Sequence, residues 1–80
     1  MINYIAQKKL RDGSFLTIYT WVSDTIRPGE NMFQIGIYGN GAEMHYQSDF
    51  SKYSEAQIRN FYSIINSRDE FRRLVLGPAS

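Results

Sequence analysis

The chain has 80 residues, 42% of them hydrophobic and 15% aromatic, with nine Lys and Arg against eight Asp and Glu. That is one globular domain (1–80) with one small core, burying roughly 60–65% of its unfolded surface. The formal charge of +1 excludes both the strong basic excess of a protein held mainly by phosphate contacts and the acidic excess of a DNA mimic.

Cysteine is absent, so there is no disulfide framework, thiol nucleophile or thiolate metal site. The composition fits a reducing cytoplasm. MINYIAQKKL lacks a signal-peptide layout, and no apolar run reaches the roughly 18 residues of a membrane span. The chain reads as a complete product starting at Met1, with residues 77–80 a frayed tail.

Ile2 to Leu10 predicts a first strand, with Ile2, Tyr4, Ala6 and Leu10 on one side and Ile5 on the other. Asp12-Gly13 is a strong two-residue hairpin signal, because both positions must accept positive φ. Such a turn sets Leu10 opposite Phe15, Ala6 opposite Tyr19 and Tyr4 opposite Trp21. Ser14 to Ser23 is the second strand. Alternation places Phe15, Thr17, Tyr19 and Trp21 on one face and Leu16, Ile18, Thr20 and Val22 on the other.

Asp24 to Glu30 is loop, with Pro28-Gly29 suited to a type II turn. Asn31 to Tyr38 predicts a third strand, and Asn40-Gly41 a second hairpin turn. That register faces Ile37 with Met44, Ile35 with Tyr46, Tyr38 with Glu43 and Gly36 with His45. The period then changes. Ser54 and Gln57 have capping-box spacing, Tyr53 and Ile58 could staple the cap, and Ile58, Phe61, Tyr62 and Ile65 form a helical stripe. Ser67 with Glu70 repeats the cap, and Phe71, Leu74 and Val75 make a second stripe ending at Gly77-Pro78. The two stripes are rotated apart, so a break near Asn66 is expected.

The expected fold is therefore α+β: a four-stranded antiparallel sheet of two hairpins, with a C-terminal helix and short helical tail on one face. The helix should lie on the aliphatic face of Ile5, Leu16, Ile18, Val22, Phe33, Ile35, Ile37 and Met44.

That leaves Tyr4, Phe15, Tyr19, Trp21 and Tyr38 facing outward as the candidate partner-binding set. Tyr and Trp suit such a role because they bury much area at low entropy cost and keep a polar handle. The competing reading is a second small core sealed by the loop Asp24–Glu30 or the tail after Gly77, or simply a sheet with large side chains beside Gly36. Arg59, Arg68, Arg72 and Arg73, with Lys52 nearby, form a secondary basic surface, or simply a solvated face with Asp69–Arg73 as a helix pair.

His45 is the single histidine, and Glu43 beside it could make an acid–base pair. No nucleophile–base–orienter set, metal-ligand cluster or phosphate loop accompanies them, so no enzyme, cofactor or metal is expected. The expectation is a small non-enzymatic protein-binding module, an inhibitor or adaptor of a larger protein or nucleoprotein machine. Its partner is a protein, with homodimerisation a further form of the same idea. The alternative is single-stranded nucleic-acid binding on the aromatic face, although no RNA-recognition-motif strand is found. In size and character, not in residues, the chain is similar to the small inhibitors that phages and plasmids direct at host machines, anti-CRISPR proteins among them.

Overall fold

A computed structural model describes residues 2–26 and 28–77. Four strands, β1 (Ile2–Lys9), β2 (Phe15–Val22), β3 (Asn31–Tyr38) and β4 (Met44–Gln47), form one antiparallel sheet in the order β1-β2-β3-β4. Helix α1 (Glu55–Ile64), helix α2 (Arg68–Phe71) and a π-helical turn (Arg72–Leu76) follow. The fold is α+β with an open sheet, as the sequence predicts.

The core lies between the sheet and the helices. Leu10, Leu16, Ile18, Ile35 and Ile37 meet Ile58, Ile65, Phe71 and Val75, all at most 5% exposed. Phe33, Tyr46, Tyr53, Phe61 and Tyr62 pack around them. Alternation along β2 and β3 explains the sheet half, since Leu16 pairs with Ile37 and Ile18 with Ile35 on one face.

The helical half is fixed at its ends. Ser54 Oγ accepts from Gln57 N at 3.3 Å and Gln57 Oε1 accepts from Ser54 N at 2.9 Å, a complete capping box. Ile65 is extended, which ends α1, and Ser67 Oγ accepts from Glu70 N at 3.2 Å to start α2. The expected break near Asn66 is there. The Tyr53 ring meets Phe61 edge-on at 4.9 Å, and its hydroxyl donates to the Val75 carbonyl at 2.6 Å. One side chain thereby ties α1 to the π-helical turn.

Several expected positions change. Both hairpins use three-residue loops rather than two-residue turns. Gly13 N donates to Leu10 O at 3.0 Å and Leu10 N to Ser14 O at 2.7 Å, with Gly13 at φ 91°. The second loop repeats this: Ala42 N donates to Gly39 O at 3.0 Å, Gly39 N to Glu43 O at 2.8 Å, and Ala42 takes φ 66°. One extra loop residue shifts the strands by one, which exchanges faces. Lys9 therefore faces Phe15, Lys8 faces Leu16 and Ala6 faces Ile18, and Leu10 enters the helix-side core.

Near Ile5 a bulge shifts β1 again, so Tyr4 pairs with Tyr19 and Ile2 with Trp21. In β4, Ile37 pairs with Tyr46, Gly36 with Gln47 and, past a second irregularity, Tyr38 with Met44. Met44 thus leaves the expected aliphatic face. Val22 and Ile5 are also exposed, at 42% and 39%. Leu74 is 41% exposed because the wider π-helical turn keeps Phe71 and Val75 inward without it. In the 24–30 loop Gly29 takes φ 81°, the angle the third position of a type II turn requires. The expected frayed tail lies largely outside the described residues.

Candidate functional site

Tyr4, Phe15, Tyr19, Trp21 and Tyr38 share the sheet face away from the helices, by alternation along β2 and β3 and, for Tyr4, by the Ile5 bulge. They are not equally accessible. Tyr4 is 65% exposed at the β1 edge, Phe15, Trp21 and Tyr38 are half-buried, and Tyr19 is 4% exposed. Tyr19 is the floor of the face; Tyr4 stands over it with ring centroids 6.3 Å apart.

Gly36 makes that floor. A Cβ there would lie 3.3 Å from Met44 Sδ and 3.4 Å from the Tyr19 ring, so the bare backbone lets both side chains lie across the sheet.

Polar contacts hold the buried rings. The Tyr19 hydroxyl donates to Gln47 Oε1 at 2.7 Å. Trp21 Nε1 donates to Gln34 Oε1 at 2.6 Å, and Gln34 Nε2 donates to the Ser48 carbonyl. Ser48 is in turn bound to β3, its N donating to Ile35 O at 2.9 Å and its Oγ accepting from Ile35 N at 3.0 Å. Phe50 meets the Trp21 indole edge-on at 5.9 Å. Burial, with the phenols of Tyr38 and Tyr4 nearby, pushes Tyr19 up to about 12. Tyr38 is raised too, first by burial and then by Tyr4.

Among the shallow grooves that cross the face, two lie over the middle strands. One, of about 300 Å³, runs between Ile2, Tyr19, Trp21, Gln34, Met44 and Gln47. The other, of about 420 Å³, lies between Tyr4, Gln7, Thr17, Tyr38 and Ala42. Sheet residues line both, with Ala42 of the loop before β4 in the second. Alternation along β3 and β4 predicts Met32, Gln34 and Gln47 on this face, where they lie, while Ser48 and Phe50 are added by the chain after β4.

The arginines are spread differently. Arg59 pairs with Glu55 at 2.9 Å, and Arg72 and Arg73 share Asp69 at 3.0 and 3.6 Å. These exposed pairs are screened by solvent and add little to stability. Arg72 first, with Arg73, holds the Asp69 carboxyl below its ordinary value. Arg68 stands apart. Its N donates to Asp12 Oδ2 at 2.8 Å and its Nη1 lies 3.2 Å from His45 Nδ1.

His45 is turned to α2 rather than to the outer face, a correction caused by the β4 irregularity. Arginine can only donate, so His45 Nδ1 accepts, and the ring proton sits on Nε2, 3.4 Å from Glu43 Oε1. Glu43 is held below the usual carboxylate range by its own backbone N–H and by His45. Desolvation pushes Asp12 up, but the N–H groups of Arg68 and Ser14 outweigh it and leave its carboxyl lowered. An open pocket of about 400 Å³ joins Lys9, Asp12, Ser14, Glu43, His45 and Arg68 at this end of the sheet. The Glu43–His45 pair exists, and through Arg68 it ties the second hairpin to α2, as Asp12 ties the first.

Among the described residues no group of His, Cys, Asp and Glu could hold a metal ion, and no helix is long and apolar enough to cross a membrane. Compared with known proteins, the chain matches no family model, no curated protein and no solved structure.

Proposed function

We propose that the chain is a non-enzymatic protein-binding module that docks a larger protein against the outer sheet face and so blocks or bridges it. The observation that carries this reading is the layering of that face. Ile2, Tyr4 and Met44, at 54%, 65% and 41% exposed, stand over a floor of Tyr19, Met32 and Gln34 that is at most 5% exposed. Exposed apolar groups over a rigid, hydrogen-bonded floor lose little entropy when a partner covers them. A small inhibitor or adaptor of the kind phages and plasmids direct at host machines has this character, and a cytoplasmic setting fits a chain without cysteine.

Base stacking on the same face draws less support. Tyr19 is buried, Phe50 packs against Trp21, and among the described residues Lys9 is the one cation that the pairing places on this side. Binding of a short oligonucleotide at low salt, weakening steeply as salt rises, would favour it over a protein partner.

The test begins with crosslinking capture from the native cells and purification of the captured protein. Its affinity is then measured for the wild type, Tyr4→Glu/Met44→Glu and Arg59→Glu/Arg73→Glu. The expected result is at least a tenfold loss for the first variant, with a native circular dichroism spectrum, and near-normal binding for the second. The opposite ranking would place docking on the helices and defeat the reading.

A further inference from the structure

Among the described residues, most of the cations are engaged. Arg11, Arg59, Arg72 and Arg73 meet carboxylates, while Lys8 and Lys52 lie over the rings of Tyr62 and Tyr53 at 4.8 and 5.4 Å. Lys9 and Arg68 meet neither a carboxylate nor a ring, and both line the open pocket of about 400 Å³ at the hairpin-loop end of the sheet. The acids of that pocket are the reverse case. Asp12 accepts from Ser14 N at 2.9 Å and from Arg68 N at 2.8 Å, and Glu43 faces His45 Nε2 at 3.4 Å. Arg68 is also held in place. Its Nη1 rests on His45 Nδ1 at 3.2 Å, which leaves most of a planar five-donor fork for another acceptor.

We propose that this pocket receives a side-chain carboxylate from an acidic segment of the docked protein, with Arg68 holding it from α2 and Lys9 from the end of β1. The proposal deepens the docking reading and rests on it for the partner's place on the outer face. Phe15, Tyr38, Asn40 and Ala42 line a further groove on that face, and Asn40 lines the pocket as well, so one partner can cover the rings and reach both cations. The pocket's own acids decide against a nucleic acid. A single carboxylate brings one negative charge to two cations. A phosphate chain brings one at every nucleotide and sets the surplus against Asp12 and Glu43.

NMR titration of the purified chain at low salt tests this, with hexaglutamate as one probe and hexathymidylate as the other. Hexaglutamate should move the side-chain signals of Arg68 and Lys9, leave those of Arg59 and Lys52 in place, and bind with a dissociation constant on the order of 1 mM. Arg68→Gln should weaken it about tenfold and Lys9→Gln about threefold. Lys9 has no side-chain partner among the described residues, so its variant should fold natively. Unmoved Arg68 and Lys9 signals would overturn the proposal, as would equal movement of every arginine or tighter binding of hexathymidylate. In the complex with the captured partner, carbodiimide coupling should join Lys9 to an Asp or Glu side chain; coupling through Lys8 or Lys52 alone would also overturn it. Tyr4→Glu/Met44→Glu should leave the hexaglutamate titration unchanged, so failure of the docking reading is seen separately, in partner affinity.

Discussion

The Trp21 indole donates to Gln34 Oε1 at 2.6 Å, and the same amide donates onward to the Ser48 carbonyl, so one buried side chain fixes both a ring and the strand edge behind it. Gln34 is 5% exposed, which makes its loss costly. Gln34→Leu removes both partners at once and strands two polar groups. A cost of about 2–3 kcal/mol is expected. Urea unfolding with Trp21 fluorescence measures it, and a loss below about 0.5 kcal/mol would show that water replaces the amide freely.

Tyr19 predicts an alkaline limit to stability. Its folded-state value of about 12 lies above the ordinary 10.0, because burial favours the neutral phenol. A raised value stabilises the fold fully below the unfolded pKa, and that contribution is lost as pH climbs through the folded one. Stability should therefore fall between pH 10 and about 12, by about 2 kcal/mol. Tyr19→Phe should flatten this part of the pH profile while losing the Gln47 bond. A profile equally steep in the variant would assign the effect to other tyrosines.

Thr20 Oγ1 is a buried oxygen with no hydrogen-bond partner. Val has the same shape without the hydroxyl, so Thr20→Val is expected to stabilise by about 1 kcal/mol. That corresponds to a rise of about 5 °C in Tm for a domain of this size. Calorimetry decides it; a lower Tm would mean that the hydroxyl is satisfied in solution.

The two hairpin loops give a paired prediction. Ala42 occupies at φ 66° the place that Gly13 fills at φ 91° in the other loop. Left-handed backbone costs a side-chain-bearing residue about 1–2 kcal/mol, partly offset by glycine's greater unfolded freedom. Ala42→Gly should therefore stabilise by about 0.5 kcal/mol, and Gly13→Ala should destabilise by about 1 kcal/mol. Equal effects of one sign would contradict the shared geometry.

These loops also mark where the sequence stopped being legible. Ser54 with Gln57 and Ser67 with Glu70 announced both helix starts, because a cap depends on residues close in sequence. The faces of β2 and β3 followed from strict alternation. Loop length did not, since Asp-Gly serves a two-residue turn and a three-residue loop alike, and nothing in Ala42 advertises positive φ. The single-residue slip that resulted would have turned Tyr4 to the helix side. The bulge at Ile5 turns it back, so the aromatic face contains the expected residues through a different pairing. The outward side of Gln34 and Gln47 follows from alternation, but the contribution of Ser48 and Phe50 depends on how the chain after β4 folds over β3, which no local pattern encodes.

The outer face as a docking surface is tested most directly by methyl NMR on the complex with the captured partner. Met44 and Ile2 report the outer face, and Ile64, at 45% exposed, reports the helices. The account predicts that the Met44 and Ile2 methyl signals shift or broaden on binding while Ile64 stays unmoved. Perturbation of Ile64 with Met44 and Ile2 unchanged would contradict it.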